Sequence, residues 1–525
     1  MSLELNIHEL HFGSDDAESD EKHGFLNKVF LNTPIYQRIK RNKRELVIGR
    51  KGSGKSALCL KLKKAFEDEQ QDVILLSPES LSRYTIEQLK VSSISNTEAY
   101  SYIWRYVILV VIGKEILKRY NTLKANHLIG NYKDIVKKIY NFLMRNEEID
   151  KTFFRKLLSR IPILSSLTLK VFGIEGSLTI NQLKNQKEFT DNLERFQGTI
   201  TRILPQIYET QLIILFDRID EIWEDSEESE MKIIGLVKAV HDLNLILQQA
   251  QIILFLRSDI YDTLKFHDAD KLHSVEERVC WAKEDLRNLI VTRARVSANL
   301  KGIDSKEIWD AIFDKKVNNK SSFEYIINRT MLRPRELIQF CNQALTKAQD
   351  NSHDYIHSQD ILKAERDYSA WKLKDLVSEF TVQYPYLQEL LSIFQGFKEV
   401  YKYDEFAERF SMYRERLNRK FPSLESVSID VILQILYIIG FLGASIKEQN
   451  VFVYDDPTIV VSQAESIVIH PSFISALHIQ DNRTVNVGRD YFEHVSGNVY
   501  GGNVTIQGYS EENITSGSAG KGKEN

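Results

Sequence analysis

The hydrophobic pattern of this chain of 525 residues switches between two periods. Glu45–Ile48 and Val73–Leu76 read as short strands, Leu212–Phe216 as a strand covered on both faces, because consecutive apolar residues leave no face for water, and Ile252–Leu256 as another buried strand. Between them, apolar residues recur at helical spacing over Phe25–Arg41, Ala57–Phe66 and Met231–Gln248. Arg278–Trp281 is a candidate fifth strand. Strands alternating with helices predict an α/β domain with a parallel sheet.

Residues 84–200 interrupt this alternation. Trp104–Leu117 and Lys133–Asn146 carry amphipathic helical patterns, and Leu167–Ile180 alternates as a hairpin does. The segment reads as a mostly helical insertion between the second and third strands. From Lys283 to about Asp367 the pattern is helical throughout. Residues 375–480 form a further unit. Its helical patterns lead to Val431–Leu442, and Val451–Tyr454 with Ser466–Ile469 predicts a two-stranded hairpin, the element order of a winged helix. Asn482–Gly508 holds three Asn-Val pairs among glycines and reads as a marginal hairpin whose edges would pair with another chain, a docking or self-assembly element. The expected division is an acidic, partly loose segment (1–24), the core with its insertion (25–282), a helical lid (283–370), the winged-helix-like unit (375–480) and a Gly/Asn/Val-rich tail, partly disordered (481–525).

Composition narrows the class. The net charge of -4 argues against a large nucleic-acid footprint without excluding a local basic patch. Cys59, Cys280 and Cys341 are far apart and form neither a metal cluster nor a disulfide framework, which fits a reducing cytoplasm. The N-terminus lacks the basic and apolar regions of a signal peptide. The most membrane-like run, Tyr106–Gly113, is far shorter than the about 20 apolar residues of a spanning helix and reads as a buried piece of a core helix. No membrane association is expected.

The chemistry sits at the strand ends. Gly49-Arg50-Lys51-Gly52-Ser53-Gly54-Lys55-Ser56, followed by Ala57, satisfies GxxxxGK[ST] between a strand and a helix. Glycines let the backbone curl so that its N–H groups face phosphate oxygens, and the helix adds its positive end. Lys55 would reach the β- and γ-phosphates and the Ser56 hydroxyl would ligate Mg²⁺, so ATP with Mg²⁺ is the expected ligand. Asp217 emerges from the third strand where it can hold the same ion. Asp220 and Glu221 follow within one turn. A carboxylate there can polarise the attacking water, with Glu221 the first candidate and Asp220 the second. Arg257 at the tip of the fourth strand is placed to sense the γ-phosphate, since ligands of open parallel sheets lie at the carboxyl ends of the strands. Arg335 opens a helix beyond the core and could reach back to the phosphates.

The set GRKGSGKS, LIILFDRIDE, ILFLRSD and RPRELIQ resembles the AAA+ ATPases of the origin-recognition and STAND branches. Asp217-Arg218-Ile219-Asp220-Glu221 is similar to the second motif of NACHT proteins, with Arg218 in place of a small residue. The segments Phe12–Glu18 and Phe30–Tyr36 resemble the start of a bacterial family of P-loop ATPases. The resemblance covers residues 1–480 and implies an AAA-type fold, slow ATP hydrolysis and a switch in bacterial antiviral defence that self-assembles or engages an effector protein. Arg278, Arg293 and Arg295 are all candidate arginine fingers. The rival expectation is a DNA-associated initiator or loader that uses the winged helix, where Arg414, Arg416, Arg419 and Lys420 cluster. A P-loop kinase fits less well, because a kinase needs an acceptor pocket in place of water-polarising carboxylates.

Overall fold

The structure, a computed structural model, describes residues 6–41, 44–77, 97–125, 132–145, 180–266, 269–300 and 303–479. The expected hairpin at Leu167–Ile180 lies outside them except for its last residue, and the Asn482–Gly508 element lies wholly outside them. Two compact units are present, Met1–Pro385 and Tyr386–Asn525.

The first unit is built on a five-stranded parallel sheet. Its strands are β1 (Leu46–Gly49), β2 (Val73–Leu76), β3 (Leu212–Phe216), β4 (Ala250–Arg257) and β5 (Glu276–Arg278), in the spatial order β2-β3-β4-β1-β5. β1 lies between β4 and β5, with Leu46 opposite Leu254 and Glu276. Alternation within each strand fills two cores. Leu46, Ile48, Ile214, Phe216, Ile252 and Leu254 point to one face. Val47, Ile213, Leu215, Ile253 and Phe255 point to the other, against Leu58, Leu62 and Phe66 of the Lys55–Asp68 helix. Each fully buried aliphatic side chain contributes about 2 kcal/mol, so a sheet covered on both faces is the stable arrangement for these runs. The α/β class expected from the sequence, a parallel sheet followed by helices, is the fold found.

The Tyr106–Gly113 run lies within one long helix, Thr97–Ala125. That helix packs on the Glu227–Ile246 helix of the core. Contact is close at Gly235, where a Cβ would sit 2.5 Å from that of Tyr100. Trp104 donates its indole N–H to the Lys232 carbonyl at 3.0 Å. Among the described residues no helix is long and apolar enough to cross a membrane.

Helices Lys283–Ser297, Ser305–Ile312, Ser322–Ile327, Pro334–Asp350 and Ser358–Phe380 surround a separate apolar core. The N-terminal segment corrects an expectation here, since from residue 6 onward it is packed and not loose. Ile7, Leu10 and Phe12 belong to this helical core. Gln349 and Asn342 donate to the carbonyls of Ile7 and Gly13, each at 2.9 Å. Arg293 pairs with Asp20 at 2.8 Å, and both are buried.

In the second unit, helices Leu387–Ser392, Tyr403–Lys420 and Ile429–Ile438 accompany a four-stranded antiparallel sheet. The expected hairpin partners are revised. Leu442–Ile446 pairs with Gln449–Val451 on one side and with Ser466–Ile469 on the other, and Val400–Tyr401 completes the sheet. The helix expected over Val431–Leu442 ends at Ile438, before Gly440 in the left-handed region at φ +84°. The tight turn uses Lys447 and Glu448 at φ +49° and +64°, positions where Asn and Gly are the usual signal.

Candidate functional site

The loop after β1 curls as its sequence predicts. Gly52 and Gly54 sit at φ +75° and +94°, which L side chains rarely adopt, and Gly54 caps the Lys55–Asp68 helix. The first turn of that helix faces a cavity of about 310 Å³. Lys51, Gly52, Gly54, Lys55, Ser56 and Ala57 line it together with Asp217, Asp220, Glu221, Arg257 and Arg335. Gly49 lies beneath, where a Cβ would come within 2.5 Å of the Ser53 hydroxyl. Ser53 is buried, and its carbonyl accepts the Trp281 indole N–H at 2.8 Å. Arg50 points away, its guanidinium 3.7 Å from the Met331 sulfur.

Lys55 donates to the Gly49 and Arg50 carbonyls at 2.7 and 3.1 Å. Burial pushes its pKa down to about 8, although Asp220 and Asp217 pull the other way. Asp217 is also buried. Burial raises its pKa, while the Ser56 hydroxyl and the Arg218 N–H both donate to it and oppose the rise. A serine hydroxyl and a carboxylate oxygen in contact beside a loop of backbone N–H groups are the hard-oxygen donors that Mg²⁺ takes. The residues therefore fit the ion, and Ser56 and Asp217 would be the groups that hold it.

Arg218 adopts φ +62°, which turns the chain sharply after Asp217 and opens the short helix Ile219–Ile222. The two candidate bases separate there. Asp220 lies 3.7 Å from Arg257 and acts on the charge of Lys55. Glu221 is more exposed and lies 4.0 Å from Arg218, which also pairs with Glu18. Both carboxylates line the cavity, and Asp220 is the one that lies beside Arg257 and Lys55.

Arg257 is held by Asp259 through two hydrogen bonds, at 3.1 and 2.5 Å. Burial works against its charge, but Asp259, Glu379 and Asp220 more than offset this and raise its pKa. Arg335 packs its Cβ 3.2 Å from where a Cβ on Gly52 would lie, and its backbone N–H reaches the Gly52 carbonyl at 3.3 Å. Its guanidinium lies near Asp15, at 3.4 Å from the backbone carbonyl and 3.9 Å from the carboxylate. The structure thus brings the sequence-read groups to one cavity, apart from Gly49, Arg50 and Ser53, which do not line it.

Three sets of residues escaped the sequence reading. Ser14, Asp15 and Ala17 line the cavity from the N-terminal segment, whose resemblance motif was the available signal. Trp281 lines it from the end of the core. Behind Arg257 lies a buried charge cluster of Arg333, Glu336, Lys372 and Glu379. Charged residues at helical spacing are ordinarily solvated, so nothing in the local pattern singles these out. The three arginine-finger candidates are paired within the chain: Arg293 with Asp20, Arg278 with Asp262 at 2.7 Å, and Arg295 with the Ile303 carbonyl at 3.0 Å. Among the described residues, His353, His357 and Asp360 lie close enough together to suggest a metal. Asp360 is already used there, accepting from Asn351 at 2.8 Å, His353 at 2.7 Å and the His357 N–H at 3.0 Å to cap a helix.

Comparison with known proteins adds five similarities. Residues 284–377, well under half of the chain, match the FunZ-associated C-terminal helical domain. The "Putative transposon gamma-delta 80.3 kDa protein" of Escherichia coli (strain K12) is 25% identical over 504 residues, covering 92% of this chain and 69% of that protein. "Allergen Alt a 2" of Alternaria alternata is 25% identical over 145 residues, 27% of this chain and 76% of that protein. Among solved structures, Aeropyrum pernix Orc1 in complex with DNA is similar at 12% identity and a TM-score of 0.34, covering 80% of this chain and 86% of that one. Cdc6p of Pyrobaculum aerophilum is similar at 10% identity and a TM-score of 0.26, covering 88% and 93%. Similarity at that level describes resemblance only.

Proposed function

We propose that the cavity binds ATP with Mg²⁺ and hydrolyses it, and that the chain works as a nucleotide-driven switch. The carrying observation is the convergence of Lys55, Ser56, Asp217, Asp220 and Arg257 on one cavity at the carboxyl ends of parallel strands. In this reading the loop and Lys55 bind the phosphates, and Ser56 and Asp217 hold the ion, which supplies charge neutralisation at the phosphates. Asp220, with Glu221 beside it, orients and deprotonates water. Arg257 and Arg335 read the γ-phosphate. The helical segment from Lys283 acts as a lid, and its movement exposes a surface for self-association or an effector protein. The sequence resemblance adds a cytoplasmic role in bacterial antiviral defence.

Equilibrium binding across pH tests the ligand. Because Lys55 titrates near 8 by virtue of burial, it is charged at pH 7 and loses its proton as pH rises. The Kd for ATP with Mg²⁺ should therefore increase between pH 7 and 10, by up to about tenfold per unit above the pKa. A flat profile contradicts the role given to Lys55. Steady-state hydrolysis tests the base. Asp220→Asn should slow turnover at least about tenfold, the lower side of general-base effects, while leaving ATP affinity within twofold of the wild type, and Glu221→Gln should cost less. The opposite ranking assigns the base to Glu221.

A second reading, a DNA-associated ATPase, is favoured by the second unit. Helices lead there into the Leu442–Val451 hairpin, the order of a winged helix, and Arg416 and Arg419 are exposed on the Tyr403–Lys420 helix. The name of the E. coli relative, which refers to a transposon, is compatible with it. Arg414 and Lys420 are committed within the chain, to the Glu425 carbonyl and to Glu389. Duplex-DNA binding whose log affinity falls linearly with log salt supports this reading, and no binding at low salt removes it.

A further inference from the structure

The Ser358–Phe380 helix ends beside the cavity with three charged residues, Lys372, Asp375 and Glu379, spaced at i, i+3 and i+7 on one face. Each is engaged. Asp375 holds Lys51 of the phosphate loop at 2.8 Å and also lies 3.6 Å from Lys372. Lys372, with no exposed surface, lies 2.8 Å from Glu336. Glu336 lies 3.5 Å from Arg333, and Arg333 donates to Glu379 at 3.0 Å. Glu379 in turn lies 3.8 Å from Arg257. Alternating charges thus run without interruption from the loop after β1 to the tip of β4, through the Ser358–Phe380 helix and the start of the Pro334–Asp350 helix.

We propose that Asp375 and Glu379 are positioning residues that hold Lys51 and Arg257 at the phosphate end of the cavity, so that the seat of this helix is coupled to the terminal phosphate of the bound nucleotide. The inference rests on the ATPase reading above. Lys51 and Arg257 both line the cavity, one in the loop after β1 and the other at the end of the neighbouring β4, and each has a carboxylate of the same helix behind it. A cation held from behind meets an incoming phosphate without having to be ordered first. A phosphate arriving in front draws on the same guanidinium or ammonium that the helix carboxylate grips. By reciprocity, whatever alters that grip alters the response to the phosphate, and the phosphate alters the seat of the helix. ADP and ATP differ in that region, so the effect falls on ATP.

The test uses the full chain and measures hydrolysis together with ATP and ADP affinities. Asp375 and Lys51 are partly exposed, and Asp375→Asn leaves no fully buried charge alone, so this variant should fold. It should lower kcat, or the preference for ATP over ADP, by about fivefold or more, with ADP affinity within twofold of the wild type. The same substitution made in a Lys51→Ala chain should add little, because Asp375 acts through Lys51. A general structural role would persist in that background. Glu379→Gln should show the same ATP-specific loss. Should it fail to fold, as judged by its melting curve, the Asp375 cycle decides alone. Wild-type turnover with Asp375→Asn unchanged, or an equal loss in the Lys51→Ala background, overturns the inference and leaves the ATPase reading standing. A wild-type chain that neither binds nor hydrolyses ATP overturns both.

Discussion

Lys55→Ala is expected to raise the Kd for ATP with Mg²⁺ by at least about a hundredfold. Hydrogen bonds to charged groups are worth roughly 1.5–3 kcal/mol each, and a buried ammonium facing phosphates makes more than one. Each 1.4 kcal/mol or so is a factor of ten in affinity. The change should not unfold the chain. Lys55 forms no ion pair closer than 4 Å among the described contacts, and its partners are the Gly49 and Arg50 carbonyls of the loop itself. Burial already disfavours its charge, so removing it relieves a desolvation cost. Calorimetric titration of the folded variant measures the effect, and an affinity equal to that of the wild type means that the loop does not hold the phosphates.

Glu336→Ala should be the most destabilising of the substitutions near the site, by about 3–5 kcal/mol, the range for breaking a buried ion pair by removing one partner. Glu336 is buried, lies against both Lys372 and Arg333, and accepts the Met331 N–H at 2.5 Å. The Lys372 contact is an ion contact more than an aligned hydrogen bond, so its attraction is largely coulombic. Removing the carboxylate leaves a lysine with no exposed surface poorly compensated. The same cluster gives an acid signature. Burial alone would raise the carboxyl pKa values of Glu336 and Glu379. Lys372 and Arg333 outweigh it, lowering Glu336 below its ordinary value and Glu379 to about 2. A carboxylate with a depressed folded pKa stabilises above its unfolded value and loses that contribution as pH falls through the folded one. The first unit should therefore lose stability steeply from about pH 4.5 downward. Urea unfolding at pH 7 and pH 3.5 measures both effects, and a loss below 1 kcal/mol for Glu336→Ala contradicts the account of the cluster.

The parts legible in the sequence are those where local pattern and tertiary role agree. β3 was readable because five consecutive buried residues admit no other covering, and the phosphate loop because its glycines and Lys55 are demanded by backbone geometry and charge. The parts missed depend on partners far along the chain. Ile7, Leu10 and Phe12 are three apolar residues in an acidic, polar stretch, and only the Lys283–Ser297 and Pro334–Asp350 helices make them a core. Glu379 looks like any surface glutamate until Arg333 and Arg257 are brought to it. The proposed order of Asp220 and Glu221 rests on partners brought in by the fold, Arg257 and Lys55 for Asp220 and Arg218 for Glu221, and not on local pattern. The Lys447-Glu448 turn was missed because neither residue signals the left-handed conformation that both adopt.

Phosphate release from ATP by the purified full chain tests the central claim most directly. Wild type with Mg²⁺ should turn over ATP, chelation of Mg²⁺ should abolish the activity, and Asp217→Asn, which removes one proposed ligand of the ion, should reduce it to the level of Lys55→Ala. Release at background rates in the wild type, or release that Lys55→Ala and Asp217→Asn leave unchanged, would contradict the assignment of this cavity as an ATPase site.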